Sequence, residues 1–260
     1  MTSTVHVAAL ESGAVEAATA IAHRLKTTYA GELDDWRTYS GASTLLLCAT
    51  DGLSFAATGS DRRRPLKVDF TEPGLLRRAR GGIKAEALAR AVGLSGKRSL
   101  QVVDTTAGLG KDAFLLAALG CEMTLIERNA VVAALLADGL ARARSCADTL
   151  VRSAADRMCL IQCDGRDWLQ QDKQHKIDVV TIDPMFNSGR GSAAAGREMS
   201  LLQCVAEAGE DEKQLLDAAR ALEVRVVVKR AKKARSIGGL KPTHQIKGSS
   251  TRFDVYLPAI

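Results

Sequence analysis

The sequence predicts an α/β fold in which helices cover both faces of a mostly parallel, seven-stranded sheet, and a small α/β unit precedes it. Three observations lead to this prediction. Short apolar runs alternate with amphipathic segments from about residue 100 onward. A hairpin signal lies inside the first sixty residues. The length of 260 residues, with 46% hydrophobic and 25% charged residues, is typical of an ordinary globular chain.

The N-terminal unit is predicted to span residues 1–65. The segment 5–10 is strand-like, and residues 14–25 have a helical pattern that Ser12 opens. Asp51-Gly52 lies between two apolar runs, which is typical of a tight β-hairpin. A polar connector that ends at Pro65 closes the unit, and the larger domain is predicted to span 66–260.

The larger domain alternates strands with helices. Seven strands are predicted, at 100–104, 122–127, 158–163, 176–183, 224–229, about 243–247 and 253–258. Helices are predicted at 84–91, 110–119, 129–144 and 212–222, the first of them ended by Gly93. In such sheets the ligand binds beyond the carboxyl ends of the strands, where the strand order reverses.

Several classes of protein are disfavoured by the same sequence. It has no run of eighteen apolar residues, and its N-terminus lacks a basic start followed by an apolar block, so a cytoplasmic protein without membrane spans is expected. The six cysteines form no C-x-x-C pair, which predicts reduced thiols and no metal site.

Positive charge is concentrated in two segments. Residues 60–98 contain eleven basic and four acidic residues, a local charge of +7, and residues 225–252 contain nine basic and no acidic ones. The whole chain carries only +6, so the rest of the chain is acidic. The segments are consistent with a face that binds a polyanion, or with solvated loops whose charges acidic helices compensate in space.

A candidate cofactor site follows the first strand of the large domain. Asp104 ends the strand, and Gly108 and Gly110 allow a tight turn that a ligand can approach closely. Glu127, at the end of the second strand, stands where a carboxylate can accept hydrogen bonds from ribose hydroxyls. Glycines in this pattern also satisfy the dinucleotide fingerprint, so NAD stays an alternative.

Two acidic residues favour S-adenosylmethionine (SAM) over NAD. Asp104 would repel a pyrophosphate but attract a sulfonium and an ammonium group, and Lys111-Asp112 places a second carboxylate in the first helical turn. The pattern D-x-x-x-G-x-G is the first motif of class I, Rossmann-like methyltransferases. Asp164-Gly165, after the third strand, is either a contact for an adenine amino group or a turn and helix cap.

A candidate catalytic motif follows the fourth strand, where Asp183, Pro184 and Phe186 match the D/N-P-P-aromatic motif of enzymes that methylate amino groups. The exocyclic amine of a purine is a poor nucleophile because its lone pair is delocalised. A carboxylate and the Pro184 carbonyl could hold its N–H groups, and Phe186 could stack on the base. The other interpretation is a plain turn with a buried Met-Phe pair.

Together these residues resemble the bacterial family of SAM-dependent 16S ribosomal RNA guanine-N2 methyltransferases of the RsmJ type. The resemblance covers most of 66–260. It rests on VDF (68–70) with the later Gly81-Gly82 and AEALARAVGL (85–94), and on five further stretches of sequence. They are VDTTAGLGKDAF (103–114), IERNAVVAALLADGLARA (126–143), TIDPMF (181–186), VRVVVKR (224–230) and KGSSTRFDVY (247–256).

The resemblance implies SAM as methyl donor and 16S rRNA, or the small ribosomal subunit, as substrate, methylated at guanine-1516. It also implies cofactor contacts at Lys111-Asp112, Glu127-Arg128, Asp164-Gly165 and Asp183. Asn187 departs from the family, which usually has proline there. An NAD-dependent oxidoreductase and a non-catalytic rRNA-binding assembly factor stay as alternatives.

Overall fold

The computed structural model of the chain describes residues 4–59, 64–82, 86–94, 99–171, 176–184, 212–248 and 251–258. These residues form two units. The first contains residues up to Asp69 together with Asn129–Arg142, and the second begins at Phe70 and contains the other described residues.

The first unit contains a four-stranded sheet. Its strands are β1 (Val5–Ala9), β2 (Tyr29–Glu32), β3 (Thr44–Ala49) and β4 (Gly52–Ala57), in the order β2-β1-β3-β4. Helix α1 (Val15–Leu25) connects β1 to the parallel strand β2. The predicted hairpin is present: β3 and β4 are antiparallel, and Gly52 has φ 123°, a backbone conformation that glycine tolerates best.

The chain remains with this sheet beyond the connector, because Leu66 exchanges two backbone hydrogen bonds with Phe55 of β4, at 2.8 and 2.7 Å. Residues 129–142 of the first unit lie within a later helix, α5 below. The division at 65/66 stays a prediction.

The second unit is built on a seven-stranded sheet. Its strands are β5 (Gln101–Asp104), β6 (Glu122–Ile126), β7 (Met158–Ile161), β8 (Val179–Ile182), β9 (Arg225–Ala231), β10 (His244–Lys247) and β11 (Thr251–Tyr256). Their order is β10-β11-β9-β8-β5-β6-β7. Strands β5 to β9 are parallel to one another, β11 is antiparallel to β9, and β10 is antiparallel to β11. The predicted fold class is confirmed.

Seven helices follow α1 in the described residues. They are α2 (Pro73–Arg80), α3 (Ala87–Val92), α4 (Lys111–Ala118), α5 (Ala130–Arg144), α6 (Thr149–Asp156), α7 (Gly165–Gln170) and α8 (Glu212–Arg220). The predicted start of α3 at residue 84 lies outside the described residues. No helix in the described part of the chain is long and apolar enough to cross a membrane.

The sheet of the second unit has an apolar core. Val180, Val226 and Val228, on neighbouring strands, are fully buried and pack with Leu215 and Leu216 of α8. Burial on this scale contributes about 1.5–3 kcal/mol for each large side chain, so it fixes the strand ends firmly relative to one another.

Candidate active site

The candidate site lies where the strand order reverses. From β5 the chain proceeds outward through β6 and β7 in one direction, and then through β8 and β9 in the other. Asp104 ends β5 and pairs in register with Thr181 of β8, so Asp183 follows β8 at the same edge of the sheet. Ligands of open α/β sheets bind at this switch point.

The predicted glycine turn is formed between β5 and α4. Gly108 and Gly110 have φ of 53° and 73°, so a side chain at either position would strain the backbone. The Gly108 N–H donates to Glu127 Oε2 at 2.9 Å. This hydrogen bond joins the turn to the end of β6 and fixes the carboxylate beside the glycines, where it was predicted to hold a ribose.

Asp104 is a buried acid, with 7% of its surface exposed. Its Oδ1 accepts a hydrogen bond from the Thr106 N–H at 3.1 Å, and no cationic side chain of the described residues forms an ion pair with it. Burial, helped by the charges of Asp183 and Asp112, raises the pKa of Asp104 to about 7. The charge of Lys229 acts on Asp104 only from beyond ion-pair distance, so this buried carboxyl group fits a ligand that supplies a cation, such as the sulfonium and ammonium of SAM.

Lys229, near the carboxyl end of β9, joins two further carboxylates. Its Nζ lies 2.7 Å from Asp112 Oδ2 and 2.8 Å from Asp183 Oδ2. Burial alone would lower the pKa of Lys229, but the two carboxylates outweigh burial and raise it, so the amine is charged.

The two carboxylates respond differently to Lys229. Burial raises the pKa of Asp183, and Lys229 offsets this only partly, so the net shift is upward. For Asp112 burial also acts upward, but Lys229, joined by Arg78, reverses the shift and lowers the pKa. Asp183 is therefore the more basic carboxylate of this pair, which suits a group that accepts a proton.

Asp164 has a structural role in addition to the predicted one. Its Oδ1 accepts a hydrogen bond from the Arg166 N–H at 2.8 Å and so caps helix α7. A Cβ added to Gly165 would lie 2.8 Å from the backbone oxygen of Thr105, so glycine lets α7 begin close to the β5 turn. A contact between Asp164 and an adenine stays a prediction.

The remaining predicted residues are placed less centrally. Lys111 Nζ lies 3.3 Å from Glu72 Oε2, at the N-terminus of α4, and Arg128 follows Glu127 after β6. Pro184 is buried directly after Asp183. Phe186 and Asn187 lie outside the described residues, and so does the aromatic part of the predicted motif.

Sequence reasoning missed Lys229 as a site residue and counted it only among the basic residues of 225–252. The missed signal was its position, because β9 is the neighbour of β8 and the carboxyl ends of parallel neighbours meet. Leu88 and Phe253 add an apolar wall to the pocket that Asp104, Asp183 and Lys229 line. Within the described ranges, no group of three His, Cys, Asp or Glu side chains could hold a metal ion.

Comparisons with known proteins show the family to which the chain belongs. A family model described as "Putative SAM-dependent methyltransferase" matches residues 34–258. Ribosomal RNA small subunit methyltransferase J of Thioalkalivibrio sulfidiphilus is 44% identical over 245 residues, which is 93% of each chain. The protein of the same name from Pseudomonas aeruginosa is 40% identical over 253 residues, 96% of this chain and 94% of that one.

Among solved structures, a SAM-dependent methyltransferase from Neisseria gonorrhoeae is similar to the chain with a TM-score of 0.73 and 30% sequence identity. The match covers 97% of this chain and 96% of that one, so it includes both units.

Proposed function

Because the chain belongs to the family of SAM-dependent methyltransferases, and its relatives include ribosomal RNA small subunit methyltransferase J, we propose that it methylates the exocyclic N2 of a guanosine in 16S rRNA. The observation that carries the proposal is the Asp183-Pro184 pair, which lies at the switch point beside Asp104. The resemblance in sequence adds guanine-1516 as the target.

The cofactor SAM supplies an electrophilic methyl group on a sulfonium. Asp104 balances the positive charge of the cofactor, and Glu127 accepts hydrogen bonds from the ribose. The glycine turn at Gly108 leaves room for the methionine part. Asp112, held by Lys229, adds negative charge in the first turn of α4, and Lys111, Arg128, Asp164 and Gly165 complete the proposed cofactor-binding set.

Asp183 is proposed as the catalytic carboxylate. It accepts a hydrogen bond from the guanine amine, which directs the nitrogen lone pair toward the methyl group, and it stabilises the positive charge that develops on this nitrogen. Its raised pKa makes it a better acceptor for the proton that the amine loses. The backbone N–H of Asp183 donates to Thr106 Oγ1 at 2.6 Å, and this hydrogen bond fixes the backbone where the Asp183-Pro184 motif begins.

Two further residues of the motif complete the proposal. Pro184 fixes the backbone so that its carbonyl accepts the second N–H of the amine, and Phe186 stacks on the base. We also propose the small ribosomal subunit as the form in which the RNA is presented, and a cytoplasmic location for the reaction.

The proposal is tested with labelled SAM and small ribosomal subunits from cells that lack the enzyme. We expect one methyl group for each 16S rRNA, and mass spectrometry of the nucleosides should identify N2-methylguanosine. Methylation on ribose, on a ring carbon or on another RNA would contradict it. Naked 16S rRNA in a parallel reaction shows which form of the RNA the enzyme uses.

A further inference from the structure

The loop that follows β9 is held from inside by two arginines. Arg252 Nη1 donates to the carbonyl oxygens of Ala231, Lys232 and Ala234, at 3.2, 2.9 and 2.6 Å. Arg230 donates to the carbonyl oxygen of Arg235 from Nε and Nη2, at 3.2 and 2.9 Å. Four carbonyl groups within five residues are thus bound by guanidinium groups, whose planar forks suit several acceptors at once.

Both arginines are themselves fixed. Arg252 forms two hydrogen bonds with Asp254, Nε to Oδ1 at 2.8 Å and Nη2 to Oδ2 at 3.0 Å. Ser236 Oγ donates to Asp254 Oδ2 at 3.0 Å and closes the end of the loop. Arg230 pairs with Glu212 of α8 at 2.9 Å. The backbone of 231–236 is therefore preorganised by charge-assisted hydrogen bonds.

The carbonyl groups of the loop face the two arginines, whereas its cationic side chains face solvent. Lys232, Lys233 and Arg235 are exposed, and none of the three forms an ion pair with a residue in the described part of the chain. The segment 225–252 contains no acidic residue that could compensate them locally. By contrast, Lys229 and Arg230, just before the loop, point their charges at Asp183 and Glu212.

The loop also lies near the candidate active site. It starts two residues after Lys229, which contacts Asp183, so it leaves the same edge of the sheet. A strand residue spans about 3.3 Å, so the first cation of the loop is within about 10 Å of Lys229 along the chain. Successive phosphates of an RNA strand that enters the site would pass within reach of these side chains.

We propose that residues 231–236 form a preorganised cationic loop that binds the phosphates of the RNA strand next to the target guanosine. The proposal rests on the proposed function for the identity of the RNA. Three exposed cations on an ordered backbone, beside a site that handles a base, suit a phosphate backbone, which is recognised mainly by charge and position. Because the loop is already ordered, binding loses little conformational entropy.

The first test removes the three charges in the variant K232Q/K233Q/R235Q. A control variant, R152Q/K176Q/R220Q, also removes three positive charges. These three residues are exposed and come before β7, β8 and β9 in the chain, so they lie at the amino ends of the strands, away from the loop. RNA affinity is measured at 50 and 200 mM salt with a 16S rRNA fragment that contains the target.

Three lost phosphate contacts should lower the log–log salt slope by about 2, so a fourfold rise in salt should weaken wild-type binding about 20-fold more than it weakens the loop variant. The control should keep the wild-type slope, and both variants should keep wild-type affinity for SAM. An unchanged slope in the loop variant would overturn the proposal. So would a loss of binding to assembled subunits without a loss on naked RNA, which would indicate a contact with ribosomal protein.

The second test separates preorganisation from charge. Arg252→Lys keeps the charge, but three N–H donors cannot serve three carbonyl groups and both oxygens of Asp254, so RNA affinity should fall roughly threefold or more, with SAM affinity unchanged. Wild-type RNA affinity in this variant, if it folds, would contradict preorganisation. If it does not fold, the triple variant decides. Both binding tests measure RNA affinity and do not depend on methyl transfer. The loop proposal can therefore fail while the wild type still methylates guanine N2, and the proposed function can fail while the loop still binds RNA.

Discussion

The second unit contains two clusters of charged side chains, one at the candidate active site and one behind the loop that follows β9. In the second cluster, one arginine faces one aspartate, and each carboxylate oxygen of Asp254 accepts two hydrogen bonds. The side chains are nearly inaccessible, with 8% of Arg252 and 1% of Asp254 exposed. Such a cluster is electrostatically complete.

The cluster at the candidate site is incomplete. Lys229 contacts Asp112 and Asp183, but Asp104 is buried without an ion pair in the described residues. About 30% of the side chains of Lys229 and Asp183 remains exposed. We infer that the two clusters have different uses: the closed one stabilises the fold, whereas the open one is proposed to offer one carboxyl group to a cationic ligand and another to a proton.

The largest effect should come from breaking the closed cluster. Asp254→Ala leaves Arg252 buried without its counter-charge, which should lower the free energy of unfolding by about 3–5 kcal/mol. Urea denaturation measures this loss. The control, Asp217→Ala, breaks an exposed pair with Lys213 in α8 and should cost less than about 1 kcal/mol. Equal losses in both variants would mean that the Arg252 cluster is not a special source of stability.

Removing Asp183 from the open cluster should change activity much more than stability. Asp183→Ala should reduce kcat at least ~100-fold, with a smaller effect on KM, because the carboxylate acts mostly in the transition state. Single-turnover methylation of small subunits gives the rate. Near-normal turnover would rule out Asp183 as the catalytic carboxylate.

Phe186→Ala should instead weaken RNA-dependent steps by about 1–3 kcal/mol, the contribution of stacking one base.

Much of the large domain could be predicted from its sequence because strong periodicity and apolar runs are local signals. All seven strands of its sheet and the glycine turn are confirmed, whereas the strand order comes from the structure alone. The predicted family and the cofactor SAM are also confirmed, so the NAD-dependent alternative is wrong. The individual site residues stay predictions.

Short and long-range features were missed for physical reasons. Helices α6 and α7 have eight and six residues, too few to show a clear helical period in the sequence. Their capping residues, Asp148 and Asp164, are the signal from which these helices could have been predicted. The role of Lys229 depends on a contact 46 residues away in the sequence, which only the strand order reveals. The same holds for the three carbonyl groups that Arg252 binds, which lie about twenty residues earlier, at the end of β9 and on the loop after it.

A third prediction concerns Glu127, which links the open cluster to the cofactor. Glu127→Ala should weaken SAM binding by about 1–3 kcal/mol, because the ribose loses a charged acceptor and Gly108 loses its hydrogen bond. Glu127→Gln keeps an acceptor for Gly108, so it should retain part of the affinity. Calorimetric titration compares the three proteins. Wild-type affinity in the alanine variant would place the cofactor elsewhere.

The last prediction concerns the protonation of Asp104, whose effect on stability is small within any one pH unit and whose sign follows from burial. The folded protein holds the Asp104 proton up to about pH 7, whereas the unfolded chain loses it near the ordinary value of 3.8. As pH rises between these two values, the unfolded state binds fewer protons than the folded state, so this group makes the protein less stable. Replacement by Asn removes the proton exchange. Stability of the wild type relative to Asp104→Asn should therefore fall by up to about 1.4 kcal/mol per pH unit in that window.

SAM binding should have the opposite dependence on pH. A cationic ligand prefers the ionised carboxyl group, so its affinity should rise about tenfold between pH 6 and pH 8 as Asp104 loses its proton, and then level off. Asp104→Asn should bind SAM more weakly at pH 8 and show no such rise. The ratio of the two dissociation constants at each pH cancels any titration of the ligand itself. A ratio that does not change with pH would show that Asp104 does not face the cation of the cofactor, and would remove the main reason for calling this cluster open.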